Sequence, residues 1–287
     1  MVNNTKQKSS FIAVCGAPNA GKSSLVNYIV GTKVSIVSPR PQTTRVNIRG
    51  ILTEGDTQLV FVDTPGIMNP HDDRQEKMVK NAWDGVNEVE AIMFVVDAEK
   101  GITDLSRAII EKLKVRSTNI IAVVNKIDLI DRETQAKLAQ ELFDFGIFKE
   151  LFVTSVNKSR GIEDLVNYLL KTATDQPWAY PDDQISDAND RFLAEEVTRE
   201  KIFYLMREEI PYGVDVETES YKEDDKKGIT IHQVIHVAKD AHKKIIIGDN
   251  ADMIKKIGQN SRYELTKLLG KKVHLFLHVK VAKSSSS

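Results

Sequence analysis

Cysteine is almost absent from this chain. Cys15 stands alone among 287 residues, so no intrachain disulfide can form, which fits a reducing compartment. No uninterrupted apolar run approaches the length of a membrane span. The first ten residues, MVNNTKQKSS, lack the hydrophobic core of a signal peptide. A cytoplasmic location is the expectation from these absences. Net charge is nearly absent too, at −1, so the whole-chain charge offers nothing to a polyanion. Its distribution does. Residues 1–190 carry 22 basic and 26 acidic side chains, residues 191–238 carry 7 and 11, and residues 239–283 carry 11 and 4. The last of these segments is strongly basic, a place where nucleic acid could be met. Residues 284–287, all serine, read as a frayed tail.

What is present suggests two domains. Apolar runs predict strands over 11–15, 46–52, 58–62, 91–97, 120–125 and 151–154. Amphipathic stretches predict helices starting near Lys22, Arg74, Asp104, Arg132 and Ile162. This alternation implies an α/β domain over 8–173, a mostly parallel sheet with helices on both faces. Such sheets bind ligands beyond the C-terminal ends of their strands. Segment 174–190, TDQPWAYPDDQISDAND, has two prolines, clustered acids and no helical period, and reads as a linker. A smaller α+β domain follows over 191–283. It reads as a helix, strands over 214–221 and 229–238 around the charged loop KEDDKKG, helices over 251–257 and 260–269, and a strand over 273–281.

The run Gly16-Ala17-Pro18-Asn19-Ala20-Gly21-Lys22-Ser23 fits the phosphate-loop pattern GxxxxGK[ST]. It follows a predicted strand and opens a predicted helix, the context that gives the pattern meaning. Backbone N–H groups and the helix N-terminus would face phosphate oxygens, Lys22 would reach the β- and γ-phosphates, and Ser23 would ligate Mg²⁺, with Ser24 beside it. Asp63-Thr64-Pro65-Gly66 ends a strand. Asp63 could hold Mg²⁺ through water, and the Gly66 amide could approach the γ-phosphate. In the loop between them, Thr44, with Thr43 close behind, could ligate Mg²⁺ only when a γ-phosphate is present. Asn125-Lys126-Ile127-Asp128 supplies the base side. Asp128 would accept from guanine N1–H and the 2-amino group, Asn125 would brace the loop, and the stem of Lys126 would cover the base. Alone, Asp128 or Asp131 would read as a helix N-cap. Ser155 and Val156 could place backbone N–H groups against the guanine oxygen. Together, in this order, the motifs predict GTP and GDP binding with hydrolysis.

The position after Gly66, where many GTPases carry a water-orienting glutamine, is Ile67. Turnover on the order of 10⁻⁴ s⁻¹, or within a few decades of it, is therefore expected. No residue is a convincing general base, so catalysis would rest on Asn19, Lys22, Thr44 and Gly66 as positioning and electrostatic groups. The Asn19 side-chain carbonyl would either help hold a monovalent cation at the phosphates or make a loop hydrogen bond.

GAPNAGKS, PQTTR, DTPG and NKID resemble the Era GTPases of bacteria. So do EEVTREKIFYLMREEIPY and LLGKKVHLFLHVKV, and the resemblance spans about residues 8–283. It implies a type II KH domain over 191–283, binding of 16S rRNA near its 3′ end, and a role in assembling the small (30S) ribosomal subunit. It also implies K⁺ use through Asn19, peripheral membrane association and a monomer. Two departures stand out. Ser155-Val156 replaces the usual Ser-Ala. The KH clamp GxxG reads Gly248-Asp249-Asn250-Ala251, with an alanine where φ > 0 is wanted and an acid where phosphates approach. Lys243, Lys244, Lys255 and Lys256 flank the loop and would compensate. Tyr263 and Phe276 are the aromatic candidates for base stacking, Phe276 alternatively serving as core. A GTPase acting on a protein or membrane partner, with a weakened KH domain, is the competing expectation.

Overall fold

The structure, a computed structural model, describes residues 7–87, 89–116, 119–206 and 210–282. The serine tail and the boundary read at residue 283 lie outside the described residues. The chain divides into two compact units. The first comprises residues 1–35 and 44–187, the second residues 36–43 and 188–287.

The first unit is a six-stranded sheet. Its strands are β1 (Lys8–Cys15), β2 (Ile48–Glu54), β3 (Thr57–Asp63), β4 (Ala91–Asp97), β5 (Asn119–Asn125) and β6 (Glu150–Val153), in the order β2-β3-β1-β4-β5-β6. Only β2 runs antiparallel, to β3. β3 and β4 are buried at every position, which is why they read as continuous apolar runs rather than alternating ones. Alternate residues feed opposite layers. Phe94 and Val96 pack under α3 (Asp104–Leu113) and α4 (Arg132–Asp144) through Ile109, Ile110, Leu138 and Leu142. Met93 and Val95 pack under α1 (Lys22–Val30) and α5 (Ile162–Thr172) through Leu25, Val26, Leu165 and Leu169. α2 spans Asp73–Asn87.

Residues 174–187, read from sequence as linker, belong to the first unit. Ser9 and Thr174 exchange backbone hydrogen bonds at 3.0 and 3.2 Å. The buried Gln58 carboxamide takes the N–H groups of Ala179 and Tyr180 at 3.0 Å and donates to the Tyr180 carbonyl at 2.9 Å. A segment without helical period has here found its hydrogen-bond partners on the sheet.

In the second unit, α6 (Asp190–Leu205), α7 (Asp240–Ile247) and α8 (Asp252–Leu269) pack on a sheet ordered β7-β8-β9. β7 (Val214–Asp224) and β8 (Gly228–Val237) are antiparallel, and β9 (Val273–Val281) joins β8 in parallel. The element order is the one expected, but the two later helices are placed differently. α7 lies in the basic stretch that carried no helix in the sequence reading, and α8 runs unbroken through Gly258. A mid-helix glycine costs about 1 kcal/mol relative to alanine, too little to break a helix anchored by Ile257, Ser261 and Leu265. Residues 36–43 join this unit. Glu200 accepts the Val37 N–H at 2.9 Å, Arg199 donates to the Thr43 carbonyl at 2.7 Å, and Arg40 donates to the Met206 carbonyl. No helix among the described residues is long and apolar enough to cross a membrane.

Candidate functional site

The nucleotide-site candidates of the first unit gather beyond the C-terminal ends of β1, β3 and β5. Gly21 opens α1 at φ +92, where a Cβ would lie 2.2 Å from Asn125 Nδ2. Glycine leaves room for that carboxamide, which donates to the Ala20 carbonyl at 3.1 Å and accepts from the Thr154 hydroxyl at 3.2 Å. The Lys22 ammonium is buried and donates to the carbonyls of Gly16 at 3.2 Å and Ala17 at 2.9 Å. Burial pushes it down to about 8, against the pull of Asp63.

Asp63 is fully buried, and neither carboxylate oxygen has a well-formed hydrogen bond among the described residues. Burial raises its pKa, opposed by the neighbouring Ser23 hydroxyl, the Lys22 charge and Ser35. Of the two candidate threonines, Thr44 brings its hydroxyl to 3.0 Å from that of Ser23. Thr43 instead turns to the Ser38 hydroxyl at 2.6 Å and the Arg40 carbonyl at 2.9 Å. A buried carboxylate beside two hydroxyls is a donor set that suits a hard divalent cation. Gly66 lies against the phosphate loop, and a Cβ there would come within 2.8 Å of Pro18 Cα. Ile67 donates its N–H to the Gly16 carbonyl at 3.2 Å and buries its side chain in the core. The Ile67 side chain is thus structural, and it carries no proton-transfer group.

On the base side, Ser155 donates to Asp128 at 2.5 Å, and this bond is the leading cause of a lowered Asp128 pKa. Asp131, not Asp128, caps α4, accepting the Thr134 N–H at 2.8 Å. Val156 packs half-buried against the core under α5. The sequence reading missed Asp97, at the end of β4, which pairs with Lys126 at 2.7 Å. An aspartate closing an apolar strand was the available signal.

In the second unit, Gly248 to Ala251 join α7 to α8. Gly248 has φ +74, and a Cβ there would lie 2.3 Å from Asp252 Oδ1. Asn250 and Ala251 adopt left-handed φ of 52° and 61°. Lys255 donates to the Asn250 carbonyl at 3.1 Å; Lys244 and Lys256 are exposed and Lys243 is half-buried. Beside the loop, α8 and β9 frame a groove lined by Ile254, Gly258, Gln259 and Arg262 with Leu275 and Leu277. The sequence reading did not name these residues, because the groove forms only when helix and strand meet. Tyr263 is exposed. Phe276 is exposed rather than core: strand alternation turns it to the sheet face away from the groove, stacked on His232 with centroids 4.8 Å apart.

A family model described as 50S ribosome-binding GTPase matches residues 11–126, and one described as KH domain matches residues 209–286. The GTPase Era of Brucella suis biovar 1 (strain 1330) is 43% identical over 277 residues, 96% of this chain and 89% of that protein. The chain belongs to the Era GTPase family. The GTPase Era of Rhizobium meliloti (strain 1021) is 45% identical over 274 residues, 96% of this chain and 88% of its own. A solved structure of Era in complex with MgGDPNP and nucleotides 1506-1542 of 16S ribosomal RNA matches with a TM-score of 0.92 at 35% identity, covering 97% of this chain and 95% of that one. This Era-family chain is therefore a GTP-hydrolysing enzyme with a P-loop GTPase domain and a KH domain.

The left-handed Ala251 has a measurable consequence. An L-residue in that region costs about 1–2 kcal/mol, while glycine's freedom in the unfolded chain costs about 0.4–1 kcal/mol. Ala251→Gly in this Era-family protein is expected to raise stability by about 0.5–1 kcal/mol, read as a higher denaturant midpoint at unchanged m. A lower midpoint would show that the alanine is not strained.

Proposed function

We propose that the chain is a GTP-operated switch that binds 16S rRNA near its 3′ end and assists assembly of the 30S subunit, working as a cytoplasmic monomer that associates peripherally with the membrane. The observation that carries this reading is the near-complete match, in both length and fold, to an Era protein solved with MgGDPNP and that RNA. The basic segment 239–283 and the groove beside Gly248 supply what an RNA strand needs: phosphate partners and an apolar floor. The GTPase domain spans 8–173 and the KH domain 191–283.

Gly16 to Ser24 wrap the phosphates, Lys22 holds the β- and γ-oxygens, and the Gly66 amide meets the γ-phosphate. Ser23, Thr44 and Asp63 would hold Mg²⁺, which when bound neutralises charge on the β- and γ-oxygens. Asn125, Lys126, Asp128, Ser155 and Val156 form the base pocket. With Ile67 in place of a glutamine, hydrolysis relies on positioning, and Asn19 would help hold a K⁺ ion, which when bound would supply positive charge at the phosphates. Exchanging Na⁺ for K⁺ should then accelerate GTP hydrolysis, an effect that Asn19→Ala removes. Equal rates in the two salts would exclude the cation role.

The test of the whole reading is a titration against a single-stranded copy of the 16S rRNA 3′ end and a scrambled strand, with a non-hydrolysable GTP analogue or GDP bound. The expected result is selective binding, tighter with the analogue, with a salt slope near −0.7 per phosphate neutralised. Equal binding to both strands would leave the GTPase and remove the rRNA target, in favour of a protein or membrane partner.

A further inference from the structure

We infer that Asp97 is a positioning residue of the nucleotide site, acting through Lys126; the inference rests on the guanine-nucleotide reading of that site. β4 lies between β1 and β5 in the sheet. Its last residue therefore stands between the phosphate loop, which follows β1, and the base loop, which follows β5. Register places Asp97 level with Asn125. The carboxylate is 5% exposed, and both its oxygens are engaged. Oδ1 accepts the Glu99 N–H at 3.0 Å, and Oδ2 accepts the Lys126 ammonium at 2.7 Å.

That ammonium makes a second bond, to the Asn19 carbonyl at 2.7 Å. One cation thus ties the end of β4 and the base loop to the phosphate loop. The two backbones it joins are both in the left-handed region, Lys126 at φ 64 and Asn19 at φ 65. Asparagine tolerates that region better than most residues, but lysine seldom adopts it, so the surroundings must hold Lys126 there. An exposed ion pair would contribute little. This one has a buried carboxylate and a Lys126 side chain only 31% exposed, so the charge of Asp97 fixes where the ammonium sits. The stem of Lys126 covers the base only while its head is held. Asp97 touches no nucleotide atom in this scheme; it sets the lysine that does.

The experiment measures release of a fluorescent GDP from the full-length chain. Asp97→Asn keeps the shape and removes the charge. Losing a charge-assisted hydrogen bond should speed release roughly tenfold. In a Lys126→Met background the same substitution should add less than about twofold, since the group it acts through is gone. Asp97→Glu, which keeps the charge, should stay within about threefold of the parent and gives a second reading if the asparagine variant does not fold. Guanine-over-xanthine preference should not change, because Asp128 is untouched. Release unaffected by Asp97→Asn, the same factor in both backgrounds, or Asp97→Glu as fast as Lys126→Met would each overturn the inference. A parent chain that did not retain the fluorescent GDP would overturn the site reading itself, and the inference with it.

Discussion

Lys22→Ala should abolish tight binding of GTP and GDP. The ammonium is buried, and its two partners are loop carbonyls at 3.2 and 2.9 Å, neutral groups that a phosphate oxygen would outbid electrostatically. Removing one partner of a buried charge pair typically costs about 3–5 kcal/mol, or roughly 10²–10³-fold or more in affinity. Equilibrium titration with a fluorescent nucleotide checks it, and parental affinity in the variant would remove Lys22 from the phosphate site. A stability signature accompanies the loss. Burial lowers the Lys22 pKa from 10.5 to about 8 in the folded chain, so between those values the unfolded chain holds the extra proton. Stability of the nucleotide-free protein therefore rises with pH across that window, and below pH 8 the folded state carries the full penalty of the buried charge. The isosteric Lys22→Met, which carries no such penalty, should melt above the parent near pH 7, and the gap should close towards pH 10. Cys15, raised by burial to about 12 and pulled down by the Lys22 charge, works in the opposite sense from pH 9 upward, so the comparison is read below pH 9. A gap independent of pH would exclude the charged, buried lysine.

Asp128→Asn should move base preference from GTP to XTP. Ser155 donates to the carboxylate at 2.5 Å and holds it ionised, leaving acceptor capacity for two adjacent donors. Guanine offers N1–H and the 2-amino group. An asparagine presents one acceptor and one donor, which faces the 2-amino group wrongly and suits the 2-oxo group of xanthine. Sites built around such hydrogen bonds reject the mismatched partner by roughly 10⁴-fold, so GTP affinity should fall by a factor on the order of 10³ or more while XTP gains. Competition of XTP and GTP for the variant measures it; unchanged guanine selectivity would remove Asp128 from the base pocket. Because the Asp128 pKa is lowered, the parent's selectivity should persist into the acid range where an ordinary aspartate takes up its proton.

The sequence by itself determined the parts of this protein that depend on contiguous chain. A phosphate loop is one turn of backbone between a strand and a helix, so GAPNAGKS can be read without knowing its neighbours. DTPG, NKID and the alternation of apolar runs are legible for the same reason, since strand and helix periods are local. Tertiary structure decided what depends on residues far apart in the chain. Thr43 and Thr44 are neighbours of one chemical type, and only their partners in the fold separate them, Ser38 for the first and Ser23 for the second. Asp97 closes an apolar strand like any turn residue until sheet order sets it beside Lys126. Composition marked 174–190 as linker because the hydrogen-bond partners of its first part, Ser9 and Gln58, lie more than a hundred residues away. The gap left between 257 and 260 closes in the fold because the burial of Ile257, Ser261 and Leu265 outweighs the weak helix propensity of Gly258. Phe276 could be placed outside the core only once β9 had a face to turn away from. Local chemistry is written in order along the chain, whereas partners brought together by burial are chosen by the whole fold.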